Sequence, residues 1–347
     1  MAVKEFPSQS PSGVTTRRNF LKAGSALAGT ALVAPSALLS APAIASGLDQ
    51  ITVQMNWLKL VQYAGHFVAL ERGFFRDEKL DVVYKAGGPG VDSIALVAAG
   101  QADIGDRDPM NVALARSKGM PVRAIGCVYQ GSLSGMMSLK SKPIRSFQDM
   151  RGKTIAVGAQ RRAVVMTLLK RAKVDPSTIN FVPTGGDPAV LATGQVDAYM
   201  GLATNEGLSL QLRGIDVEVV SMADLGDVDA SMTLFATEQT LATRRDVMTR
   251  WMRAVSKGWA AFAANPEEGA RLTVQKYGQP GLDLVRETAE AKLYPKFILP
   301  KGTGSKALWL DRKVFDDAIE LAREGGANIR FTADEIVDQS LLKSIYA

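Results

Sequence analysis

Residues 51–57 read ITVQMNW, 62–75 QYAGHFVALERGFF, 80–84 LDVVY, 87–90 GGPG and 102–106 ADIGD. Short runs rich in β-branched and aromatic residues alternate here with segments of helical period, giving the order β-α-β-α-β. Such alternation builds a mostly parallel sheet with helices on its faces. In sheets of this kind a ligand sits beyond the carboxyl ends of the strands. Trp57, the turn at Gly87 to Gly90 and Asp106 are the points where the three strands run out, so they should rim one site.

Further along, Asp108 and Pro109 have the form of a helix N-cap and first helical residue, and Gly119-Met120-Pro121 ends that helix. Strands are expected at 122–129 and 135–139. The polar segment from Lys140 to Arg145 is where the chain would leave a first lobe. The pattern then restarts, with strands at 153–158 and 179–182 and a helix from Arg162 to Ala172. Asp187-Pro188 repeats the capping device for a helix ending at Gly194. LATGQVDA at 191–198 echoes VAAGQADI at 97–104. Each copy has a glycine stopping a helix, then Gln, then Asp entering a strand, which points to two lobes of similar build.

The runs at 217–221 and 232–236 are expected to close the second lobe. After Ala242 the pattern is helical. Trp251, Val255, Trp259 and Phe262 share one helix face, read as core packing rather than as a cofactor-binding aromatic box. These late helices have no strands of their own and should pack on the first lobe. The expected division is residues 1–45 as a leader, 46–140 and 237–347 as lobe one, and 141–236 as lobe two.

The leader is read from Arg17-Arg18, the small apolar run from Ala23 to Ala41, and Ala43-Ile44-Ala45 as a cleavage site. It has the twin-arginine form, so the translocon of that pathway is an expected partner and the periplasm the expected location. Lys4, Arg17, Arg18 and Lys22 against Glu5 make the leader +3, so half of the chain's +6 leaves with it. The remaining charge is mild and scattered, without the footprint of a nucleic-acid binder. His66 and Cys127 are the only residues of their kinds, which excludes an intramolecular disulfide and zinc sites of the CxxC or HExxH type. His66 falls mid-helix beside Phe67, and no nucleophile elbow accompanies it.

Asp103, Asp106 and Asp108 are spaced like a metal cluster. They read more simply as a strand-entry residue, a cleft residue and a helix cap, and no metal or other cofactor is expected. The glycine turn at 87–90 is a tight turn or an anion cradle. Arg161 and Arg162 stand at a helix start, where two cations oppose the macrodipole. An acidic ligand or a nearby carboxylate would offset that; otherwise both reach into water. Glu206 suits a helix start electrostatically or reaches a ligand.

Asn56-Trp57, Ala64 to Ala69, Arg72 to Phe75, Leu80 to Val82 and Ala99 to Gly105 together resemble the solute-binding proteins of ABC importers that take thiamine pyrimidine precursors, riboflavin, sulfonates or nitrate. Asn56-Trp57, Ser134-Gly135, Glu206-Gly207 and Leu212 to Ile215 are most similar to the pyrimidine-precursor branch. Gly87-Gly88-Pro89 is similar to the riboflavin branch. Lys79 stands where the family usually has glycine. Tyr63 stands where yeast pyrimidine synthases of the same fold carry histidine, and their cysteine cluster is absent.

The resemblance implies an α/β, two-lobed periplasmic binding protein fold of type II. Each lobe would be a mixed, mostly parallel sheet with flanking helices. It implies a non-enzymatic monomer that captures a small aromatic heterocycle and delivers it to an ABC permease and its ATPase. Trp57 and Tyr63 would stack on the ring. Gln62, Asp106, Ser134, Gln160, Asn205 and Glu206 would bond its polar edge, and Arg107, Arg161 or Arg162 would meet an acidic group. The alternatives are a sulfonate or nitrate binder and a pyrimidine-synthase-like enzyme.

Overall fold

The computed structural model describes residues 47–347 apart from 185–186, 229 and 300–305. The leader, with its arginine pair and cleavage site, lies outside the described residues, as does the side chain of Gln160.

The first half of the chain runs β1 (Asp49–Gln54), α1 (Ala64–Glu71), α2 (Phe74–Asp77), β2 (Leu80–Lys85), α3 (Ser93–Ala98), β3 (Ile104–Arg107), α4 (Pro109–Ser117) and β4 (Val122–Tyr129). α4 begins as its sequence dictates: Asp108 accepts from the Asn111 N–H at 3.0 Å and Pro109 takes the first turn. Lys79, the residue standing in a glycine position, has φ 55°. It therefore adopts the left-handed turn that glycine would supply, at a cost of about 1–2 kcal/mol.

The chain then continues through β5 (Ser134–Leu139), β6 (Thr154–Val157), α5 (Ala159–Arg171), β7 (Asn180–Val182), β8 (Ala198–Leu202), α6 (Leu208–Leu212), β9 (Val217–Ser221) and β10 (Ser231–Thr237). Two five-stranded sheets result, ordered β2-β1-β3-β10-β4 and β7-β6-β8-β5-β9. Within each, four strands run the same way and one is antiparallel to its neighbours, and that one is the first strand after a crossing: β5 in the second sheet and β10 in the first.

This topology corrects two assignments. β5 was placed before the exit from the first lobe but pairs with β8 and β9 of the second sheet. β10 was read as closing the second lobe but lies between β3 and β4 of the first. The chain therefore crosses between Tyr129 and Ser134, and again between Ser221 and Ser231, not at about 140 and 236. The cause is long-range: β10, far along the chain, takes the place beside β4 that a hairpin partner would have used. A smaller difference lies at Pro188–Leu191, a single 3-10 turn where a helix was expected. Its few residues before Gly194 (φ 72°) are too short a run to nucleate a helix.

The echoed Gln-x-Asp has a physical task in both copies. Asp103 accepts from the Thr52 N–H at 2.8 Å, and Asp197 accepts from the Thr154 N–H at 2.8 Å. Asp103 thus ties the entry of β3 to β1, and Asp197 the entry of β8 to β6.

After β10 come α7 (Glu238–Thr243), α8 (Arg245–Ala264), α9 (Pro266–Leu272), α10 (Leu284–Ala291), α11 (Pro295–Ile298), α12 (Arg312–Glu324), α13 (Ala333–Ile336) and α14 (Ser340–Ile345). Trp251, Val255, Trp259 and Phe262 are fully buried, as the helix-face reading requires. α8 lies across α1 at very close range. A methyl group at Gly258 would stand 2.4 Å from the Gly65 carbonyl oxygen, and one at Gly65 would stand 2.1 Å from the Trp259 ring. Not every late helix stays on the first lobe: α12 packs against both α4 and α5, with Arg171 donating to Glu324 at 2.7 Å.

A second bridge uses buried carboxylates on α10. Glu290 accepts from Asn205 Nδ2 at 3.0 Å and from the Tyr294 hydroxyl, while Glu287 accepts from the Val61 N–H at 3.2 Å. Arg286 pairs with both glutamates. Burial raises Glu290 from 4.5 to about 7, with Glu287 adding to the rise and Tyr294, Arg286 and Asn205 opposing it.

Two outcomes are expected. Helix propensity alone would make Gly258→Ala stabilising by about 1 kcal/mol. Overpacking against Gly65 should instead destabilise the protein by roughly 1–3 kcal/mol. A melting temperature equal to or above that of the wild type would contradict the close crossing. Glu290 holds its proton to higher pH when folded than when unfolded, so its stabilising contribution is complete below about 4.5 and lost as pH rises through 7. Denaturant titrations from pH 4.5 to 8 should therefore show falling stability, with a shallower fall in Glu290→Gln. Equal slopes would remove Glu290 as a contributor.

Candidate functional site

The carboxyl ends of β1, β3 and β8 and the starts of β5 and β10 converge on one cavity of about 580 Å³ between the sheets. Of the sequence-predicted site residues, Trp57, Gln62, Tyr63, Asp106, Arg107, Ser134, Arg161, Asn205 and Glu206 all border it. The Gln160 side chain lies outside the described residues.

On the first lobe, Asp106 organises the wall. Its Oδ1 accepts from the Asn56 N–H at 3.0 Å and its Oδ2 from the Tyr63 hydroxyl at 3.3 Å. The Tyr63 hydroxyl in turn accepts from the Trp57 N–H at 3.1 Å, and Arg107 donates to Asn56 Oδ1. The carboxylate thereby fixes the strand end that carries the Trp57 indole, which is half-buried at the cavity edge. Burial pushes Asp106 up to about 7, and the Asn56 N–H, Tyr63 and Arg107 offset that only in part.

Tyr63 has a different role from the one expected. It is 1% exposed and its hydroxyl is engaged twice, so it braces the strand end rather than offering a stacking face. The glycine turn serves the same strand end. The Gly87 N–H donates to the Trp57 carbonyl at 2.9 Å, and a methyl group at Gly87 would stand 2.3 Å from the Met55 carbonyl oxygen. Only the turn's Pro89 reaches the cavity.

On the second lobe, Glu206 lies in a helical turn, Ala203–Gly207, and its Oε2 accepts from the Leu202 N–H at 2.8 Å. Gly201 leaves it room: a methyl group there would stand 3.0 Å from the Glu206 carboxyl carbon. Burial holds Glu206 above the ordinary glutamate range, and the Leu202 N–H opposes this. Asn205 spends an N–H on Glu290 of the opposite lobe. The two arginines at the start of α5 part company. Arg161 borders the cavity and is paired with Asp227, whereas Arg162 is exposed and lies 4.8 Å over the Phe181 ring.

His66 is remote from this chemistry. It is buried against Tyr84, Trp251 and Trp259, its Nδ1 is 3.0 Å from the Tyr84 hydroxyl, and burial lowers it to about 3. The three aspartates do not converge: Asp103 holds Thr52 and Arg244, Asp106 the strand end, and Asp108 its helix. No group of side chains suited to a metal occurs among the described residues.

Sequence reasoning missed Tyr129, Tyr199, Thr184 and several methionines of the lining. Tyr199 had a usable signal, since it stands two residues before Gly201 on β8 and so shares its face. Tyr129 had none. Its buried hydroxyl donates to the Gln62 carbonyl at 2.6 Å, a contact between residues 67 positions apart.

Known proteins agree with this architecture. The riboflavin-binding protein RibY of Chloroflexus aurantiacus is 27% identical over 256 residues, 71% of each chain. The formylaminopyrimidine-binding protein of Halalkalibacterium halodurans is 25% identical over 71% of this chain and 76% of its own. A 4-amino-5-hydroxymethyl-2-methylpyrimidine phosphate synthase of Legionella pneumophila is 24% identical over 67% and 75%. Among solved structures, the periplasmic aliphatic sulphonate binding protein SsuA of Escherichia coli superposes with a TM-score of 0.62 at 12% identity, covering 84% of this chain and 92% of that one. The expected two-lobed α/β fold is thus shared with ABC substrate-binding proteins. Residues 61–269 match the family described as NMT1/THI5 like, and the chain belongs to that family.

Proposed function

We propose that this protein is the substrate-binding component of an ABC importer, capturing a small nitrogen heterocycle of the pyrimidine-precursor or riboflavin type between its lobes. The observation that carries the reading is the cavity itself. A half-buried indole, Trp57, stands at its edge beside carboxyl groups from both lobes, Asp106 and Glu206. A flat ring can lie on the indole, and its N–H groups can be met by the carboxyl oxygens. Two relatives carry names of that ligand class, riboflavin-binding and formylaminopyrimidine-binding.

The anion-binding reading has weaker support. Three carboxylates border the cavity, Asp106, Asp108 and Glu206, against two guanidinium groups, and both arginines already hold protein acceptors. The synthase reading would require a reactive histidine or lysine facing the ligand. Among the described lining residues there is neither, and His66 is in the core. The proposed location is the periplasm, reached through the twin-arginine pathway.

Titration of the purified protein with pyrimidine precursors, riboflavin and an alkanesulfonate should quench or shift tryptophan emission only with a heterocycle. Trp57→Ala should weaken that binding by roughly 1–3 kcal/mol, about 5- to 150-fold. Undiminished affinity in the variant would remove the stacking reading. For export, replacing Arg17 and Arg18 together by lysine should leave the precursor in the cytoplasm on fractionation. Normal periplasmic accumulation would exclude the twin-arginine route.

A further inference from the structure

Arg161 is the only cation that the second lobe contributes among the described lining residues, and it does not face the cavity unattended. Asp227 lies behind it, on the crossing from β9 to β10, with a side chain 6% exposed. Its Oδ2 holds Arg161 and its Oδ1 accepts from the Val228 N–H at 2.9 Å. The backbone around it is pinned as well. The Asp227 N–H donates to the Met222 carbonyl at 3.0 Å, and Arg171, at the far end of α5, donates to the Gly226 carbonyl at 3.0 Å. Asp227 therefore cannot swing away to release its partner. For Arg161 to serve a ligand, a carboxylate held in a nearly dry site would be left without its cation, which is strongly unfavourable.

The rest of the wall points the same way. Asp108 also borders Arg161, sharing with it and Asp227 a small void of about 10 Å³. An acidic group entering the cavity would meet Asp106, Asp108 and Glu206, and on the second lobe it would find the one guanidinium already neutralised.

We propose that Asp227 sets the charge class of the ligand: by holding Arg161 it neutralises the one guanidinium that the second lobe brings to the cavity, so that the uncharged heterocycle is taken in preference to its phosphate ester. This rests on the heterocycle reading above and deepens it. Neutralising Asp227 hands Arg161 to the ligand and converts the cavity toward monoesters of phosphate.

The test compares two matched pairs by calorimetry at fixed salt: 4-amino-5-hydroxymethyl-2-methylpyrimidine with its phosphate, and riboflavin with its 5′-phosphate. The wild type should favour the alcohol of whichever pair it binds. Asp227→Asn should shift the phosphate-to-alcohol affinity ratio toward phosphate by about tenfold or more, the size of one charge-assisted bond, and the gain should fade as salt is raised. Adding Arg161→Gln to that variant should return the ratio to the wild-type value. Arg161→Gln alone gives a check that needs no change at Asp227. It leaves the Asp227 carboxylate without its cation and should move the ratio toward the alcohol, opposite to Asp227→Asn. A ratio in Asp227→Asn within threefold of wild type would overturn the proposal while leaving the heterocycle reading intact, as would a ratio in Arg161→Gln alone shifted toward the phosphate. Wild-type binding of an alkanesulfonate but of neither alcohol would overturn both.

Discussion

The seating of α1 on α8 is the contact on which the cavity depends. Gly65 and Gly258 let the two helices approach until the Gly65 carbonyl and the Trp259 ring leave no room for a side chain. α1 starts at Ala64, directly after Gln62 and Tyr63. The position of Tyr63 relative to Asp106, and through both of them the position of Trp57, is thus inherited from a helix nearly 200 residues away in sequence. α9 contributes to the same crossing, since a methyl group at Gly269 would stand 2.3 Å from the Phe262 ring and 3.0 Å from the Ala64 side chain. A small residue at a helix crossing costs propensity, and here that cost is repaid by a site held to a fixed geometry.

The lobes are tied by more than a hinge. The first sheet is completed only by β10, which the chain reaches after building the whole of the second sheet, so the chain passes between the lobes twice. α12 lies on both, and Glu290 reaches from the first lobe to Asn205 of the second. Closure of a two-lobed protein is a population shift, driven only by the difference in contacts between the open and closed forms. Asn205 and Glu206 are neighbours on one turn, one bonded across the lobes and the other facing the cavity. The contact across the lobes and a part of the cavity wall are therefore carried by adjacent residues of one turn.

How much of this was legible in the sequence depended on the range of the interaction. The strands were readable because a period of two and flanking glycine and proline are local properties. The task of Asp103 and Asp197 could be suspected from a repeat, since both aspartates sit at the same point of the same βαβ unit. Which sheet β5 and β10 join was not readable. A short polar connection after β4 looks the same whether the next strand folds back or crosses over. Tyr63 was placed correctly at the cavity, but its hydroxyl's commitment to Asp106 and Trp57 depends on packing that no window of sequence reports. Arg161 posed the same difficulty: the sequence offered an acidic ligand, a nearby carboxylate or water as its partner. The carboxylate that answers is 66 residues away, on a crossing whose position had itself been misassigned.

Fold alone does not separate capture from chemistry in this family, because relatives named as binding proteins and as synthases match the same chain. The difference lies in where the reactive groups stand. The single imidazole is spent in the core, stripped of its proton by burial among Tyr84, Trp251 and Trp259. The carboxyl group raised to about 7, Asp106, is already the acceptor that holds the strand end together. A carboxyl group near neutrality could also serve as a general base, but both oxygens of Asp106 already hold protein donors. A group whose two oxygens orient the wall is better suited to offering a fixed hydrogen-bonding edge, and its raised pKa lets that edge accept from or donate to a ring nitrogen at little cost near neutrality. A wall built this way presents its donors and acceptors in fixed positions.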